Sequence, residues 1–347
     1  MKKIITIILV VALAIAAVGY FVWESGSYVA KVGNRKIKSH EYTFFLLVQK
    51  KTTEREADIV DEQGAEEFWK NPVGGEDPVT IVMNQALENA KEYKIQIIKA
   101  EKEKYGLSDQ ELKEIQDYLN NLMKDKEYVN YVREDFGLTP AQFKDMMLKS
   151  QLVESFAYDF MQKNRDAISV DDEEVKAYYD ENRGSIDDVT VRHLLISTDI
   201  EGITEEQKQE KKKLAEDLFR RIQQGEDMTV LVSEYSEDPA VTQNNGVYTF
   251  TYIQAVEQSY APEFRDWAFQ ADTGETDIVE TGSGYHIMRL ENKNTFEEKK
   301  ELVKSTIKAM KLNEYYYNQV AEWNKDPAYN LVKNENVLNK VTRKHIP

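Results

Sequence analysis

Helix-capping signals follow one another through the first half of this 347-residue chain and restrict it to a largely helical fold. Asp77 stands directly before Pro78, which suits an N-cap followed by the first helical position. Ser108 and Glu111 form a capping box, in which each side chain satisfies an unpaired backbone N–H group. The polar, glycine-containing stretch 52–77 predicts a loop. The pattern therefore predicts helices over most of the first half of the chain.

The character of the sequence changes after residue 187. Residues 189–197, VTVRHLLIS, are β-branched and apolar, as buried strands are, and further strands are predicted around a Gly-Ser-Gly turn. We therefore predict an α+β protein, in which both chain ends build one helical domain around an inserted α+β domain. The predicted boundaries are 28–187 for the N-terminal helical part, 188–294 for the inserted domain and 295–347 for the C-terminal helix that completes the helical domain.

An uncharged, mostly apolar run occupies residues 4–23, and Lys2 and Lys3 precede it. A transmembrane helix needs about 20 such residues, and the preceding lysines favour a cytoplasmic N-terminus. We therefore predict a single-pass signal anchor in the cell membrane, with the remaining domains extracytoplasmic. A cleaved signal peptide is the alternative, because Ala12-Leu13-Ala14 is a small-x-small site.

Composition excludes several classes of function. The chain has 62 acidic and 45 basic residues, a net charge of −17, which disfavours nucleic-acid binding. It has no cysteine, which excludes thiolate metal sites, cysteine nucleophiles, disulfides and a lipid anchor on cysteine. No H-E-x-x-H motif or equivalent is present. We therefore expect no metal site and no cofactor.

Two of the four histidines, His193 and His286, lie in predicted strands of the inserted domain and are the first candidates for chemistry. Asp238 follows a short predicted helix, and Ser283 precedes His286 by three residues. A serine hydrolase would need a G-x-S-x-G elbow, which the turn around Ser283 does not provide. A single strand histidine is more often a hydrogen-bonded core residue than a catalyst, so these residues alone do not define an activity.

Four stretches of the inserted domain, taken together, resemble the parvulin-type peptidyl-prolyl cis–trans isomerases. They are VRHLLIS, EYSEDPAVTQNNG, APEFRDWAFQADTGE and TGSGYHIMRLENK. The flanking stretches VAKVGNRKIKSHEY and ISVDDEEVKAYYDENR look like the PrsA-type and SurA-type extracytoplasmic foldases. The resemblance implies isomerisation of X-Pro bonds without a cofactor, and unfolded or partly folded exported proteins as partners. The resemblance does not decide whether the chain forms a homodimer through the helical domain.

The resemblance also implies roles for individual residues. The catalytic group would be His193, Asp238, Ser283 and His286, and the substrate-binding group Tyr248, Phe250, Tyr260 and Phe264. The sequence departs from the family in this second group, because Tyr248 stands where leucine is expected and Tyr260 where methionine is usual. About four extra residues also lie between Phe250 and Tyr260.

Two functional expectations follow from these residues. The loop after His193, STDIEGITEEQ, is acidic, whereas recognition of a phosphorylated substrate needs a cluster of basic side chains. We therefore expect a phosphate-independent isomerase. The alternative is a chaperone whose parvulin domain is weak or inactive and only binds unfolded secreted polypeptides.

Overall fold

A computed structural model describes residues 27–346 of the chain, which divide into two compact units. The first unit combines residues 27–167 with 312–346, and the second contains 168–311. The predicted transmembrane segment, 4–23, lies outside the described residues. Within the part described, no helix is long and apolar enough to cross a membrane.

The strands and helices follow one another in mixed order. The chain begins with β1 (Tyr28–Val32), β2 (Arg35–Lys38), α1 (Ser39–Glu56), α2 (Glu62–Lys70), α3 (Pro78–Lys102), α4 (Asp109–Leu122), α5 (Lys126–Phe136) and α6 (Pro140–Lys163). It continues with α7 (Asp172–Ile186), β3 (Asp188–Ser197), α8 (Glu205–Gln223), α9 (Met228–Tyr235), α10 (Val241–Asn244), β4 (Val247–Thr251), α11 (Tyr252–Glu257) and α12 (Pro262–Gln270). It ends with β5 (Thr276–Thr281), β6 (Gly284–Asn294), α13 (Phe296–Lys325), β7 (Leu331–Lys333) and α14 (Glu335–His345).

The first unit packs its helices around a small antiparallel sheet with the strand order β2-β1-β7. The central strand β1 buries Val29 and Val32 in a core that also contains Leu46 of α1 and Leu338 of α14. Residues from both ends of the described chain therefore share one hydrophobic core.

The second unit is built on a four-stranded antiparallel sheet with the order β4-β3-β6-β5. Successive side chains of β3 point to opposite faces of this sheet. Val191 packs in the core that contains α12, whereas Leu194 and Ile196 pack in the core that contains α8 and α9. This alternation places His193 on the same face as α12.

The second unit extends beyond the predicted boundaries 188–294 at both ends. Helix α7 and the first half of α13 bury Val175, Tyr179, Val303 and Ile307 in one small core. These two segments cover each other's apolar faces and lie in the second unit, whereas the sequence pattern assigns them to the helical domain.

Other elements also differ from the sequence-based expectation. The predicted loop 52–77 contains α2, whose N-cap is Asp61 and whose Trp69 is buried. The N-cap of α7 is Asp171, whose carboxylate accepts the backbone N–H of Glu174. The helices α10 and α11 were not predicted, since four and six residues carry too little periodicity to be recognised. Strand β7 and the 11-residue helix α14 were not predicted either.

Candidate active site

The β3–β6 pairing brings the two histidines together. Leu195 of β3 pairs directly with His286 of β6, and His193 lies two residues before Leu195 on the same face of the sheet. The two imidazole rings stack with their centroids 5.4 Å apart, and their Nδ1 atoms are 3.3 Å apart. Both side chains are buried.

Backbone hydrogen bonds hold the loop between α9 and β4 against β3. The N–H of Glu237 donates to the carbonyl of Leu195 over 2.8 Å, and the N–H of His193 donates to the carbonyl of Gly246 over the same distance. Gly246 has a φ of +71°, and a Cβ atom there would lie 2.5 Å from the carbonyl oxygen of His193. This close approach requires glycine and sets Asp238 beside His193.

Asp238 is the acceptor at the centre of the site. Its Oδ2 lies 3.0 Å from Nε2 of His193 and accepts the Tyr248 hydroxyl over 2.8 Å, while Oδ1 accepts the N–H of Ala240 over 3.0 Å. On the other side of the pair, Nε2 of His286 lies 2.9 Å from the hydroxyl oxygen of Thr281. Each ring nitrogen therefore has one polar partner.

With both histidine rings neutral, one assignment of tautomers gives each polar atom in the series from Thr281 to Tyr248 a suitable hydrogen-bond partner. The Thr281 hydroxyl donates to Nε2 of His286, and Nδ1–H of His286 donates to Nδ1 of His193. Nε2–H of His193 then donates to Asp238, which also receives the Tyr248 O–H. All donors therefore point toward a single anion, the carboxylate of Asp238.

The electrostatic shifts agree with this assignment. Burial, followed by electrostatic repulsion from the neighbouring His193 ring, lowers the pKa of His286 to about 4, so the ring of His286 is neutral near pH 7. The hydrogen bond from His193 outweighs partial burial and holds the pKa of Asp238 well below its ordinary value. Burial and the hydrogen bond to Asp238 raise the pKa of Tyr248 to about 12, so it remains a donor.

The network forms one wall of a cavity of about 190 Å³. The opposite wall is apolar and aromatic, with Phe264 and Tyr260 in edge-to-face contact at 5.8 Å between ring centroids. The lining residues are His193, Leu195, Asp238, Tyr248, Tyr260, Ala261, Phe264, Thr281, Ser283 and His286. The cavity therefore offers an apolar slot next to one fixed negative charge.

Seven of the eight residues singled out from the sequence line this cavity, but two differ from their expected placement. The hydroxyl that contacts His286 belongs to Thr281, and Ser283 instead donates its backbone N–H to Thr281 Oγ1 over 3.1 Å. Phe250 is 2% exposed and lies behind the cavity, where its ring packs against Tyr260 with centroids 5.0 Å apart.

Sequence reasoning also missed lining residues. Leu195 was recognisable, because it lies two positions after His193 in a strand and so shares its face. Thr281 had no such signal, since only the β5–β6 hairpin turns its hydroxyl toward His286. Among residues 27–346, no group of three or more acidic or histidine side chains is arranged to hold a metal ion.

The geometry agrees with a family profile described as the PPIC-type PPIASE domain, which matches residues 177–294. The second unit therefore carries a parvulin-type domain, and the chain is a peptidyl-prolyl cis–trans isomerase.

The similarity to known proteins extends beyond this domain. The chain is 28% identical over 293 residues to the foldase protein PrsA of Caldanaerobacter subterraneus subsp. tengcongensis, covering 84% of this chain and 81% of that protein. It is 26% identical over 317 residues to the foldase protein PrsA of Clostridium botulinum, covering 87% of each. A crystal structure of the PrsA foldase of Lactococcus lactis shows a TM-score of 0.39 at 14% identity, covering 93% of this chain and 100% of that one. The chain is a PrsA-like foldase.

We expect the parvulin unit to lose stability in mild acid because of His286. Its pKa is lowered to about 4 in the folded state, whereas an unfolded histidine titrates near 6.5, so the unfolded state binds more protons between these values. Stability should therefore fall as the pH drops through this window, by about 3 kcal/mol at most.

Histidine-ring NMR of the full chain, with signals assigned by His→Gln variants, measures this directly. The His286 signal should titrate with a midpoint near pH 4, and His286→Gln should flatten the acid-side loss of stability. A His286 midpoint near 6.5 would contradict the buried, neutral role of this ring.

Proposed function

We propose that the cavity of the second unit binds the proline ring of an X-Pro segment and lowers the barrier to rotation about the preceding peptide bond. The observation that carries this proposal is the pairing, in one cavity of about 190 Å³, of an aromatic slot with the Asp238-centred network. The substrates are unfolded or partly folded exported proteins.

Rotation about a peptide bond crosses a barrier of about 18 to 20 kcal/mol, because resonance holds the amide planar. No covalent bond breaks, so neither a nucleophile nor a cofactor is needed. Lowering the barrier by about 4 kcal/mol accelerates the reaction about a thousandfold. The protein needs only to favour the twisted amide over the planar one.

The two walls of the cavity have different tasks in this proposal. Phe264 and Tyr260 hold the pyrrolidine ring in apolar surroundings, which disfavour the charge-separated resonance form that keeps the amide planar. The Asp238 carboxylate, held in place by His193 and Tyr248, presents a fixed charge to the rotating amide. His193 and His286 are positioning residues, because their ring nitrogens are occupied by the network.

The first unit offers a second surface for unfolded chains. A groove of about 810 Å³ lies between α3, α6 and α13. Tyr158 and Tyr317 line it and are 62% and 70% exposed. Glu111 and Glu154 also line it, and its described lining contains no lysine or arginine. The groove therefore suits extended segments with apolar or basic side chains, held while the isomerase cavity acts on their prolines.

The sequence also supports a location for the protein. The uncharged segment 4–23 after Lys2 and Lys3 supports a signal anchor that keeps the foldase at the outer face of the cell membrane.

Two substitutions test the network. Asp238→Asn removes the fixed charge and should lower kcat/KM for an X-Pro peptide about 100-fold. Tyr248→Phe removes one donor to Asp238 but keeps the ring, so the loss should be tenfold or less. Exchange NMR of the cis and trans peptide measures both rates.

Tyr252→Phe is the matched control, because Tyr252 lies in the same unit but does not line the cavity. It should leave kcat/KM unchanged, and circular dichroism checks the fold of all three variants. If the wild-type chain does not accelerate exchange at all, the alternative of a chaperone with an inactive parvulin domain replaces the enzymatic proposal.

The isomerase should not prefer phosphorylated substrates. The described cavity lining contains no lysine or arginine, and nearby Lys211 is paired with Glu237. A dianionic phosphate would therefore meet the carboxylate of Asp238 without a compensating cation. We expect kcat/KM to be lower for a phosphoserine-proline peptide than for the matched serine-proline peptide. A higher kcat/KM for the phosphopeptide would refute phosphate independence.

The groove should contribute to chaperone activity independently of proline. Replacing both Tyr158 and Tyr317 by serine should weaken binding of a permanently unfolded, proline-free polypeptide about tenfold. Fluorescence anisotropy measures this binding. Tyr118→Ser is the matched control, since Tyr118 is 64% exposed but lies outside the groove. Equal losses in the two cases would show that the groove is not the holding surface.

A further inference from the structure

The small sheet of the first unit has a buried inner face and an outer face. Ala30, Val32 and Ile37 are fully buried on the inner face. Between Tyr28 and Ala30 the pairing of β1 with β2 shifts by one residue, as it does at a β-bulge. Because successive side chains of a strand alternate between faces, this shift turns Tyr28 away from the core and onto the outer face.

The outer face is cationic. Lys31 of β1 lies directly opposite Lys36 of β2, and Lys38 lies opposite Tyr28. The Nζ atoms of Lys31 and Lys36 lie 5.6 and 4.7 Å from the centroid of the Tyr28 ring. Val332 of β7, which lies opposite Lys31, is 63% exposed. These five residues form the lysine face, which contains no acidic residue.

The lysines of this face lack an acidic partner. Within residues 27–346, none of Lys31, Lys36 and Lys38 forms an ion pair with a carboxylate, whereas Arg35 of β2 is paired with Glu101. Like charges directly opposite each other on neighbouring strands destabilise a sheet. The chain has 62 acidic residues against 45 basic ones, so acidic partners are not scarce. The unpaired lysines therefore indicate an anionic partner outside the chain.

The position of the lysine face along the chain indicates which partner this is. The uncharged segment 4–23, proposed above as the membrane anchor, ends five positions before Tyr28. Five residues of extended chain span at most about 18 Å. An anchored chain therefore keeps the lysine face within reach of the lipid headgroups. Lysines near a membrane surface are attracted to anionic headgroups, and tyrosine is enriched at the membrane–water interface.

We propose that the lysine face docks on the anionic phospholipid headgroups of the membrane that holds the anchor, an inference that rests on the proposed anchor. Lys31, Lys36 and Lys38 contact the phosphate groups, and the Tyr28 ring lies at the level of the headgroups. A chain with a net charge of −17 is otherwise repelled by an anionic surface. Docking through one basic face therefore sets which side of the first unit faces the membrane, which a single tether does not do.

Energy transfer from the β1–β2 turn to labelled lipids tests the proposal. The chain has no cysteine, so Asn34→Cys in this turn provides a single site for a donor fluorophore. The full chain is placed in phosphatidylcholine nanodiscs with or without phosphatidylglycerol, and both kinds carry an acceptor on a headgroup. Transfer should be higher with phosphatidylglycerol. Sodium chloride at about 1 M, which shortens the Debye length to about 3 Å, should remove the difference.

Two pairs of lysine substitutions, each made in the labelled chain, provide the comparison. Lys31→Gln with Lys36→Gln should lose most of the transfer that phosphatidylglycerol adds. Lys124→Gln with Lys126→Gln is the matched control, because both lysines are exposed, lie outside the sheet and change the net charge equally. The proposal is overturned if phosphatidylglycerol adds no transfer, or if the two double variants lose it equally.

A soluble headgroup distinguishes a lipid surface from a site for free phosphate. Glycerol phosphate, at the same concentration as the phosphatidylglycerol, should leave the added transfer in place. Its loss would show that the lysine face binds single phosphate groups, which would overturn docking on a membrane.

Co-elution of the chain with phosphatidylcholine nanodiscs reports on the anchor separately. If the chain does not co-elute, the anchor proposal fails, and sedimentation with vesicles of both compositions tests the lysine face alone. Binding to phosphatidylglycerol vesicles that Lys31→Gln with Lys36→Gln weakens about tenfold or more supports the lysine face. Absence of such binding overturns it.

Discussion

His193 is the side chain on which the rest of the isomerase site depends. Its ring contacts Asp238, His286, Phe264 and Tyr248 at once, by hydrogen bonds of 3.0 and 3.3 Å and ring contacts of 5.2 and 5.0 Å. It occupies a central strand of the sheet, so hydrogen bonds on both sides of β3 fix its position. His193 therefore fixes the positions of the polar network and the aromatic slot relative to each other.

The two units present different environments to a polypeptide. The isomerase cavity is small, with a single anion whose neighbours are neutral donors, so its field is set by Asp238. The groove of the first unit is about four times larger and acidic, with exposed tyrosines that adapt to many sequences. A foldase needs both properties, because rotation of one bond requires a defined geometry, whereas holding unfolded chains requires tolerance.

Much of the site was predictable because its residues follow simple rules. His193 and His286 lie in predicted strands, and the family motifs contain Asp238 and Phe264. The resemblance also points to Tyr248 and Tyr260, although the family has other residues at these positions. The placement of Phe250 and Ser283 differs from the expectation, because a sequence motif gives positions in the chain but not the direction of each side chain. The pleat of β4 turns Phe250 into the core, and the β5–β6 hairpin gives Thr281 the contact with His286.

The sequence by itself determined most of the long helices and the two strands that carry His193 and His286, since caps and periodicity act over a few neighbouring residues. It could not assign α7 and the first half of α13 to the isomerase unit, because that depends on apolar faces about 130 residues apart burying each other. Nor could it show that the hydroxyl group of Thr281 would contact His286. Those features depend on tertiary packing, in which residues distant in sequence exclude water from a shared space.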